Sequence, residues 1–189
     1  KERLLYCLHE IAGNAHKANA KRLFFRLHGY DIHNVDSYQV GMNHFKHAVS
    51  ENLPRYNTIL TEEGNFVGFR FHLKAGILKL QVVNSAELLP FEEERIMKKL
   101  DIAHRYSTLT DAYTVAQDFS EGAGLGIVMI HIILRAIGFS SFSFSVGRQK
   151  KTTVSTLLLD TRTCKPCFPT SPSVPEALLS PSLSGVQYA

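Results

Sequence analysis

The sequence has no run of roughly 18 uncharged apolar residues, the length that a membrane-spanning helix requires. Its first residues, KERLLYCLHE, have neither the length nor the cleavage pattern of a signal peptide. Cysteine is scarce and odd in number, at three, which argues against a disulfide framework and favours a reducing compartment. There is no dense Lys/Arg stripe interleaved with aromatic residues, so nucleic acid is not an expected partner. These absences predict a cytoplasmic protein that does not use a membrane.

The composition is that of a globular protein. Hydrophobic residues make up 44% and charged residues 20% of the 189 positions, and a chain of this length suits one ordinary domain with a proper core. The formal net charge of +4 is mild. It permits an anionic ligand without requiring one.

The chain changes character near Asp160. From there the sequence TRTCKPCFPTSPSVPEALLSPSLSGVQYA is dense in Pro, Ser and Thr and has no helical or strand period. We expect a folded domain at residues 1–160 and a disordered tail at 161–189. Cys164 and Cys167 form a C-x-x-C in that tail, but tetrahedral zinc needs four ligands and no second pair exists, which favours a redox-active or inert pair.

Within the domain, apolar periodicity alternates between the helical and the strand spacing. Hairpin-like pairs of strands among helices predict an α+β fold, a two-layer sandwich in which helices cover one face of a mixed, mostly antiparallel sheet. The predicted helices are 2–19, 36–53 (ended by Pro54), 91–116 and a helix running to 137, and the predicted strands are 21–28, 66–73, 77–83, 140–146 and 153–159.

A glycine-rich segment precedes the last predicted helix. In SEGAGLGIVMIHIILRAIG, residues 120–138, Gly122, Gly124 and Gly126 stand at alternate positions before a long apolar run. Glycines let a backbone approach a ligand closely, and the N–H groups at the start of a helix favour an anion. Two interpretations stay open on this segment alone, a phosphate-binding loop and a flexible turn before a core helix.

A polar seam follows the first predicted helix. Glu10, Asn14 and Lys17 are spaced i, i+4 and i+7, so they share one face. A carboxylate can accept a proton, an amide oxygen is a suitable ligand for Mg²⁺, and an ammonium group can contact a phosphate. A solvated helix face is the alternative interpretation. Gly13 and Asn14, both poor helix formers inside a helix, weaken that alternative.

Together, EIAGNAHKA at 10–18 and EGAGLGIVMIHIILRAIG at 121–138 resemble the Asn box and the second glycine box of the GHKL ATPase superfamily. The resemblance is closest to the ATP-binding domain of sensor histidine kinases. It covers most of residues 1–160 and includes the order of the elements. It implies the Bergerat-type two-layer fold, with ATP and Mg²⁺ as cofactors.

The resemblance also implies roles for individual residues. Asn14 would be the Mg²⁺ ligand, Glu10 the base that orients the attacking group, and Lys17 a phosphate contact. Residues from about 89 to 121 would form a lid over the nucleotide. The residues implied to wrap the phosphates are Gly122, Gly124, Leu125 and Gly126, and Thr153 corresponds to the threonine that begins the closing strand near the adenine.

One part of the family pattern is absent. The first glycine box of the family is a strand that ends in Asp-x-Gly-x-Gly, whose aspartate accepts the adenine amino group. In LQVVNSAELLP, Asn84 stands in place of that Asp, and Ala86 and Leu88 replace the glycines. An amide oxygen can still accept the hydrogen bond but without charge, and a neutral bond is roughly half as strong as a charge-assisted one. The resemblance therefore leaves two outcomes, weakened ATP binding or a pocket without adenine selectivity.

The histidines suggest no separate site. His9 lies inside the Asn-box helix, whereas the phospho-accepting histidine of sensor kinases belongs to a separate hairpin. His44 and His47 could bind a metal but lack an obvious third ligand, and His131 in its apolar run is expected to be a core histidine. Residues 29–65 have no counterpart in a minimal kinase domain.

We therefore expect an ATP/Mg²⁺-binding domain of histidine-kinase type in bacterial-style signal transduction, with a separate protein partner or phospho-acceptor domain. A non-catalytic module that keeps the fold and uses nucleotide or a protein surface as a switch is the alternative. The degenerate turn at Asn84 and Ala86 favours the alternative, while Glu10, Asn14 and the glycine loop favour the enzyme.

Overall fold

A computed structural model of the protein describes residues 2–105, 125–140 and 142–162. Within these ranges no helix is both long and apolar enough to cross a membrane. The elements follow one another along the chain as α1 (Glu2–Leu27), α2 (Val35–Glu62), β1 (Val67–Lys74), β2 (Ile77–Asn84), α3 (Pro90–Arg105), α4 (Leu125–Ala136), β3 (Phe144–Gln149) and β4 (Thr152–Asp160).

The four strands form one sheet in the order β1-β2-β4-β3, and each neighbouring pair is antiparallel. Ala75 and Gly76 join β1 to β2 with φ angles of 50° and 80°, the positive values that a tight two-residue hairpin turn uses. Lys150, in the turn between β3 and β4, also has a positive φ of 55°. The predicted α+β class and the antiparallel hairpins are confirmed.

Helices α1, α3 and α4 pack against one face of the sheet. The pairing of β2 with β4 sets Leu80 opposite Leu157 and Leu78 opposite Leu159, so that alternate residues of both strands point toward the helices. The residues of α1 that face this layer, Leu4, Leu8, Ile11 and Ala15, recur at helical spacing. The buried core consists of Cys7, Ile11, Ala15, Leu80, Val82, Leu100, Ile130, Leu134, Phe144, Leu157 and Leu159.

A second apolar cluster joins the C-terminal half of α1 to α2. The rings of Phe24 and Phe45 meet edge-on with their centroids 5.5 Å apart. A Cβ built on Gly41 would lie 2.7 Å from the Phe25 ring, so the glycine allows α1 and α2 to approach closely. Residues 29–65, which have no counterpart in the resembling family, therefore form a helical extension. Together with the end of α1 this extension has a core of its own. The buried members of this cluster are Ala20, Leu23, Phe24, Phe25, Tyr38, Met42, Phe45, Tyr56 and Leu60.

Residues 21–28 belong largely to α1, and the strand predicted there is wrong. Leu23, Phe24 and Phe25 are all at most 2% exposed because this part of α1 is covered by α2. Three consecutive buried apolar residues are typical of a buried strand as well as of a helix buried on several sides, so the sequence pattern does not separate them.

Pro54 does not end the second helix, contrary to the prediction. Asn52 leaves helical geometry at φ −128° and ψ 25°, and helical structure resumes after it. Pro54 then stands in the first turn of the resumed segment, where its missing N–H is not required. Tyr56 and Leu60, beyond the kink, are buried in the second cluster and hold the resumed segment in place.

The other predicted ends of helices and strands either differ from the observed ends by a few residues or lie outside the described ranges. The helix predicted at 91–116 is confirmed as far as Arg105, and residues 106–124 lie outside the described ranges. The strand predicted from residue 140 begins only at Phe144. Strand β4 ends at Asp160, and Thr161 donates from its N–H to the carbonyl of Gly76 at 2.8 Å. Residues 163–189 are also outside the described ranges, so their predicted disorder and the roles considered for Cys164 and Cys167 stay predictions.

Candidate functional site

The side chain of Glu10 lies against the first turn of α4. A Cβ built on Gly126 would lie 2.7 Å from Cδ of Glu10 and closer still to its Oε1, so a side chain at residue 126 would displace this carboxylate. Asn14, one turn further along α1, donates from Nδ2 to the same Oε1 at 3.3 Å. Two motifs that are remote in the sequence therefore meet. We call Glu10, Asn14, Leu125 and Gly126 the helix junction.

The start of α4 adds a partial positive charge beside the Glu10 carboxylate. The first N–H groups of α4 lack partners within the helix, and the N-terminal end of the helix dipole favours negative charge. Lys17 is exposed on the same face of α1 as Glu10 and Asn14. Gly122 and Gly124, which the resemblance assigns to the phosphates, lie outside the described residues, as does the part of the predicted lid from residue 106 onward.

Asn84 is buried at the end of β2, and its amide is engaged inside the protein. It is 2% exposed and donates from Nδ2 to Oδ1 of Asn19 at 3.2 Å and to the carbonyl of Ala86 at 3.4 Å. The N–H of Ala86 donates to the same Asn19 Oδ1 at 2.9 Å. Asn19, also buried, donates from its own Nδ2 to the carbonyl of Phe66 at 2.9 Å.

Thr153 completes this second group. It is the Cα partner of Asn84 across β2 and β4, and its hydroxyl donates to the carbonyl of Ala86 at 2.7 Å. Three of the residues implied to surround an adenine, Asn84, Ala86 and Thr153, are thus brought together, and Asn19 joins them. We call these four residues the asparagine pair group.

The two groups are attached to different parts of α1. Asn19 follows Glu10 by nine positions, which is two and a half turns and a rise of about 13 Å at 1.5 Å per residue. Their side chains therefore leave α1 on opposite sides. Asn14, which is exposed, and Ala18, which is partly buried, lie on α1 between them.

The segment that follows the asparagine pair group is buried and held by ion pairs. Ala86, Leu88 and Leu89 are each 7% exposed or less. Arg22 donates to the carbonyl of Glu87 at 2.7 Å, and it forms a salt bridge with Glu92. Where the resembling family has glycines, this chain has side chains packed into the protein.

Glu92 is the centre of that ion-pair cluster. Its carboxylate pairs with both Lys21 and Arg22 of α1, and Oε2 accepts from the N–H of Leu89 at 3.1 Å, which caps α3. Burial alone would raise the pKa of Glu92, but the hydrogen bonds and charges of Arg22 and Lys21 outweigh it and lower the pKa from 4.5 to about 2. The carboxylate is therefore ionised at neutral pH.

The histidines differ in their surroundings. His9 is exposed on α1, and Nδ1 of His44 lies 2.6 Å from the hydroxyl of Tyr30. His131 is 1% exposed, and its ring meets that of His104 edge-on with centroids 4.5 Å apart. Burial, followed by the charges of His104 and Arg135, lowers the pKa of His131 from 6.5 to about 4. Among the described residues no three His, Cys, Asp or Glu side chains are grouped to hold a metal.

Two surface cavities are lined by residues that belong to neither group. One of about 320 Å³ is on the open face of the sheet, between Gln81 and Arg148. The other, of about 620 Å³, is bounded by Ile77, Phe142 and Leu158. Neither is lined by a residue that the sequence assigned to a site.

Comparison with known proteins gives no functional description. No protein-family profile matches the chain, and no solved structure matches it. The chain is 34% identical over 159 residues to an uncharacterized protein of Treponema pallidum (strain Nichols). The match covers 84% of this chain and 31% of that protein, so the chain spans about a third of the length of this relative.

The sequence alone indicated Glu10, Asn14 and Gly126 but not Asn19 or Glu92. Asn19 lies beyond the Asn-box motif in a helix that was expected to end there. Glu92 stands among neighbouring glutamates at the start of α3. The one local signal for Glu92 is a capping pattern. In this pattern an acidic side chain at the third position of a helix accepts a hydrogen bond from the N–H of the residue that precedes the helix.

Proposed function

We propose that this chain is an ATP/Mg²⁺-binding domain of the GHKL superfamily, of histidine-kinase type and with the Bergerat fold, that acts in cytoplasmic signal transduction. The observation that carries the proposal is the helix junction, where Glu10 of the Asn-box motif lies against Gly126 of the glycine motif. The four-stranded antiparallel sheet under these helices is compatible with the proposed fold. The proposed phospho-acceptor is a separate protein partner or domain.

The residues at the junction have the chemistry that a metal-bound triphosphate requires. Asn14 is exposed and donates through Nδ2 to Glu10, which leaves its Oδ1 as the atom suited to ligate Mg²⁺. Gly126 carries no side chain, so the backbone at the start of α4 can approach a phosphate. Bound Mg²⁺ would neutralise charge on the phosphates.

Glu10 has a distinct role in this proposal. Its carboxylate stands beside the helix start, where it can accept a proton from an attacking hydroxyl or imidazole group and orient that group. Lys17 offers a positive charge to phosphate oxygens from the same face of α1. The protein would contribute mainly positioning and electrostatic stabilisation, as in other phosphoryl transfers.

The asparagine pair group favours the second candidate, a regulatory module that keeps the fold without catalysis. Both amides are buried and hydrogen-bonded to each other, and Ala86 and Leu88 fill the place of the family's glycines. Such a turn leaves less room for the adenine ring of a nucleotide than a glycine-rich turn does. Nucleotide binding without turnover would be the signature of this candidate.

Calorimetric titration of ATP with and without Mg²⁺, in the wild type and in Asn14→Ala, tests the proposal. We expect Mg²⁺-dependent binding that Asn14→Ala weakens at least tenfold. Asn43→Ala, at an exposed position of α2, is the matched control and should bind as the wild type does. ATP binding that is equally tight in all four conditions would refute the proposed site, as would no binding at all.

Glu10→Gln separates the enzyme from the regulatory module. If the chain is an enzyme, the substitution should lower turnover about 100-fold or more, the usual contribution of a general base, and change ATP affinity little. Phosphate release is measured alone and with candidate acceptor domains. A wild type that binds ATP with Mg²⁺ but shows no turnover would decide for the regulatory module.

A further inference from the structure

Strand β1 is an edge of the sheet whose side chains are exposed on both faces. In the described strand order β1 has β2 on one side and no strand on the other. Toward the helix face it presents Phe69, Phe71 and Leu73, which are 49%, 65% and 66% exposed. Their partners on β2, which include Leu80 and Val82, are buried under the helices, so the apolar strip extends beyond the helix layer.

The opposite face of β1 is basic. Arg70, His72 and Lys74 alternate with the apolar residues, and Lys79 lies directly across from His72 on β2. Residues 66–84 contain no Asp or Glu. Within the described ranges neither Arg70, Lys74 nor Lys79 forms a salt bridge. The nearest acid along the sheet, Asp160 on β4, pairs with Arg162. Lys79 lies diagonally between Arg70 and Lys74 of the adjacent strand, and like charges at such positions repel one another, so this arrangement does not stabilise the fold.

The backbone of β1 is oriented to receive another strand. Lys74 and Ile77 flank the two-residue turn and so form a hydrogen-bonded pair. Because such pairs alternate along an antiparallel ladder, the N–H and C=O groups of Phe69, Phe71 and Leu73 point away from β2. The edge therefore offers donors and acceptors together with an apolar row on one face and a cationic row on the other.

A second copy of this chain is a poor occupant. Antiparallel pairing of β1 with β1 near its centre would set Arg70, His72 and Lys74 of one copy against the same residues of the other, and directly opposed like charges are destabilising. Charged residues on an edge strand are a common protection against such self-association.

We propose that β1 binds an extended segment of a partner protein in which acidic and apolar residues alternate, added antiparallel as a further strand of the sheet. The apolar residues of the partner cover Phe69, Phe71 and Leu73. Its carboxylates meet Arg70, His72 and Lys74. Backbone hydrogen bonds give such strand addition its affinity, and alternating side chains give it specificity. This surface is separate from the helix junction and needs no nucleotide.

The test is a titration of the full 189-residue chain with a synthetic peptide, acetyl-Glu-Val-Glu-Val-Glu-Val-Glu-amide, followed by NMR and amide hydrogen exchange. We expect saturable shifts at β1 and slowed exchange of the amides of Phe69, Phe71 and Leu73, because strand addition protects those N–H groups. The same peptide with Lys in place of Glu should bind at least tenfold more weakly.

Charge reversal provides the matched variants. Arg70→Glu with Lys74→Glu, both exposed, should invert the preference between the two peptides, whereas Arg55→Glu, exposed on α2, should leave it unchanged. Equal binding of both peptides, binding without slowed exchange of the three amides, or no binding would overturn the proposal. Concentration-dependent dimerisation that protects the same amides would overturn it in favour of a second copy.

Discussion

Glu10 and Gly126 form a steric pair at the start of α4, because the Glu10 carboxylate occupies the space that a side chain at residue 126 would need. The nearest atoms belong to the free end of a flexible side chain. An added methyl group would therefore push Glu10 aside without forcing the backbone to move. Gly126→Ala should therefore move the proposed catalytic carboxylate of Glu10 without disrupting the fold.

Gly126→Ala is expected to keep or slightly raise stability while lowering turnover. Alanine is favoured over glycine inside a helix by up to about 1 kcal/mol, which offsets the cost of moving Glu10. Turnover should fall because the carboxylate is displaced. Phosphate release and urea denaturation measure the two effects. Gly13→Ala, where a Cβ meets nothing within 4 Å, is the control for helix propensity.

A double-mutant cycle shows whether Gly126→Ala acts through Glu10. In a Glu10→Gln background, Gly126→Ala should change turnover by less than about twofold if displacement of the carboxylate is its effect. Additive losses from the two substitutions would contradict the role given to Glu10.

Glu92→Gln is expected to destabilise the protein by about 1 to 3 kcal/mol, because the partly buried charges of Lys21 and Arg22 would lose the carboxylate that pairs with both of them. Urea denaturation monitored by circular dichroism measures the change. Glu94→Gln on the same helix removes only an exposed pair with Lys98 and should have no measurable effect. Equal midpoints for both variants would show that the Glu92 cluster does not hold α3 to α1.

Asn84→Asp is expected to destabilise the free protein by about 1 to 3 kcal/mol, because a carboxylate oxygen would face Oδ1 of Asn19 where an N–H now donates. If Asn84 also contacts adenine, the same substitution should increase the preference for ATP over GTP by roughly tenfold, since the hydrogen bond becomes charge-assisted. Thermal unfolding and competitive nucleotide titration separate the two effects. An unchanged ATP-to-GTP ratio would exclude Asn84 as the adenine contact.

His131 is expected to make stability fall as the pH is lowered. The unfolded chain protonates near pH 6.5, whereas the folded protein keeps the ring neutral down to about pH 4. The unfolded state thus binds more protons in that window, and the free energy of unfolding should drop by about 2 kcal/mol between pH 7 and pH 5. Glu92, whose pKa is 4.5 in the unfolded chain and about 2 in the folded protein, loses most of its contribution below pH 5 and adds only a small part of this drop.

His131→Leu should flatten this pH dependence, because it replaces the ring with an apolar side chain. His33→Gln, at an exposed position, should retain the wild-type slope. Urea denaturation at pH 5, 6 and 7 makes the comparison, and a slope that survives in His131→Leu would assign the effect to another group.

The sequence predicts correctly those helices and strands that are determined by residues close together along the chain. Alternating apolar residues and the turn-like Lys74-Ala75-Gly76 predict β1 and β2 to within a residue or so, although Lys74 belongs to β1. The helical spacing of apolar residues such as Leu8 and Ile11 predicts the beginning of α1. Leu23, Phe24 and Phe25 were misassigned because burial on several sides by α2 is a tertiary effect. The sequence predicts that Pro54 ends α2 because it does not show that Tyr56 and Leu60 are anchored beyond the kink.

The sequence predicts those residues of the candidate site that belong to short motifs along the chain. Glu10 and Asn14 came from one helical face, and Gly126 from the glycine segment that opens α4. Asn19 was missed because its partner Asn84 becomes its neighbour only when β2 is docked under α1. No spacing rule along the chain connects the two residues.

The most direct test of the central claim is NMR line broadening of the wild type by ATP with Mn²⁺ in place of Mg²⁺. A paramagnetic ion held by Asn14 should broaden the backbone amide signals of Asn14 and Gly126 strongly and leave that of Asn57, in α2, sharp. Asn14→Ala should abolish the selective broadening. Uniform broadening, or broadening centred elsewhere on the chain, would contradict a metal-nucleotide site at the helix junction.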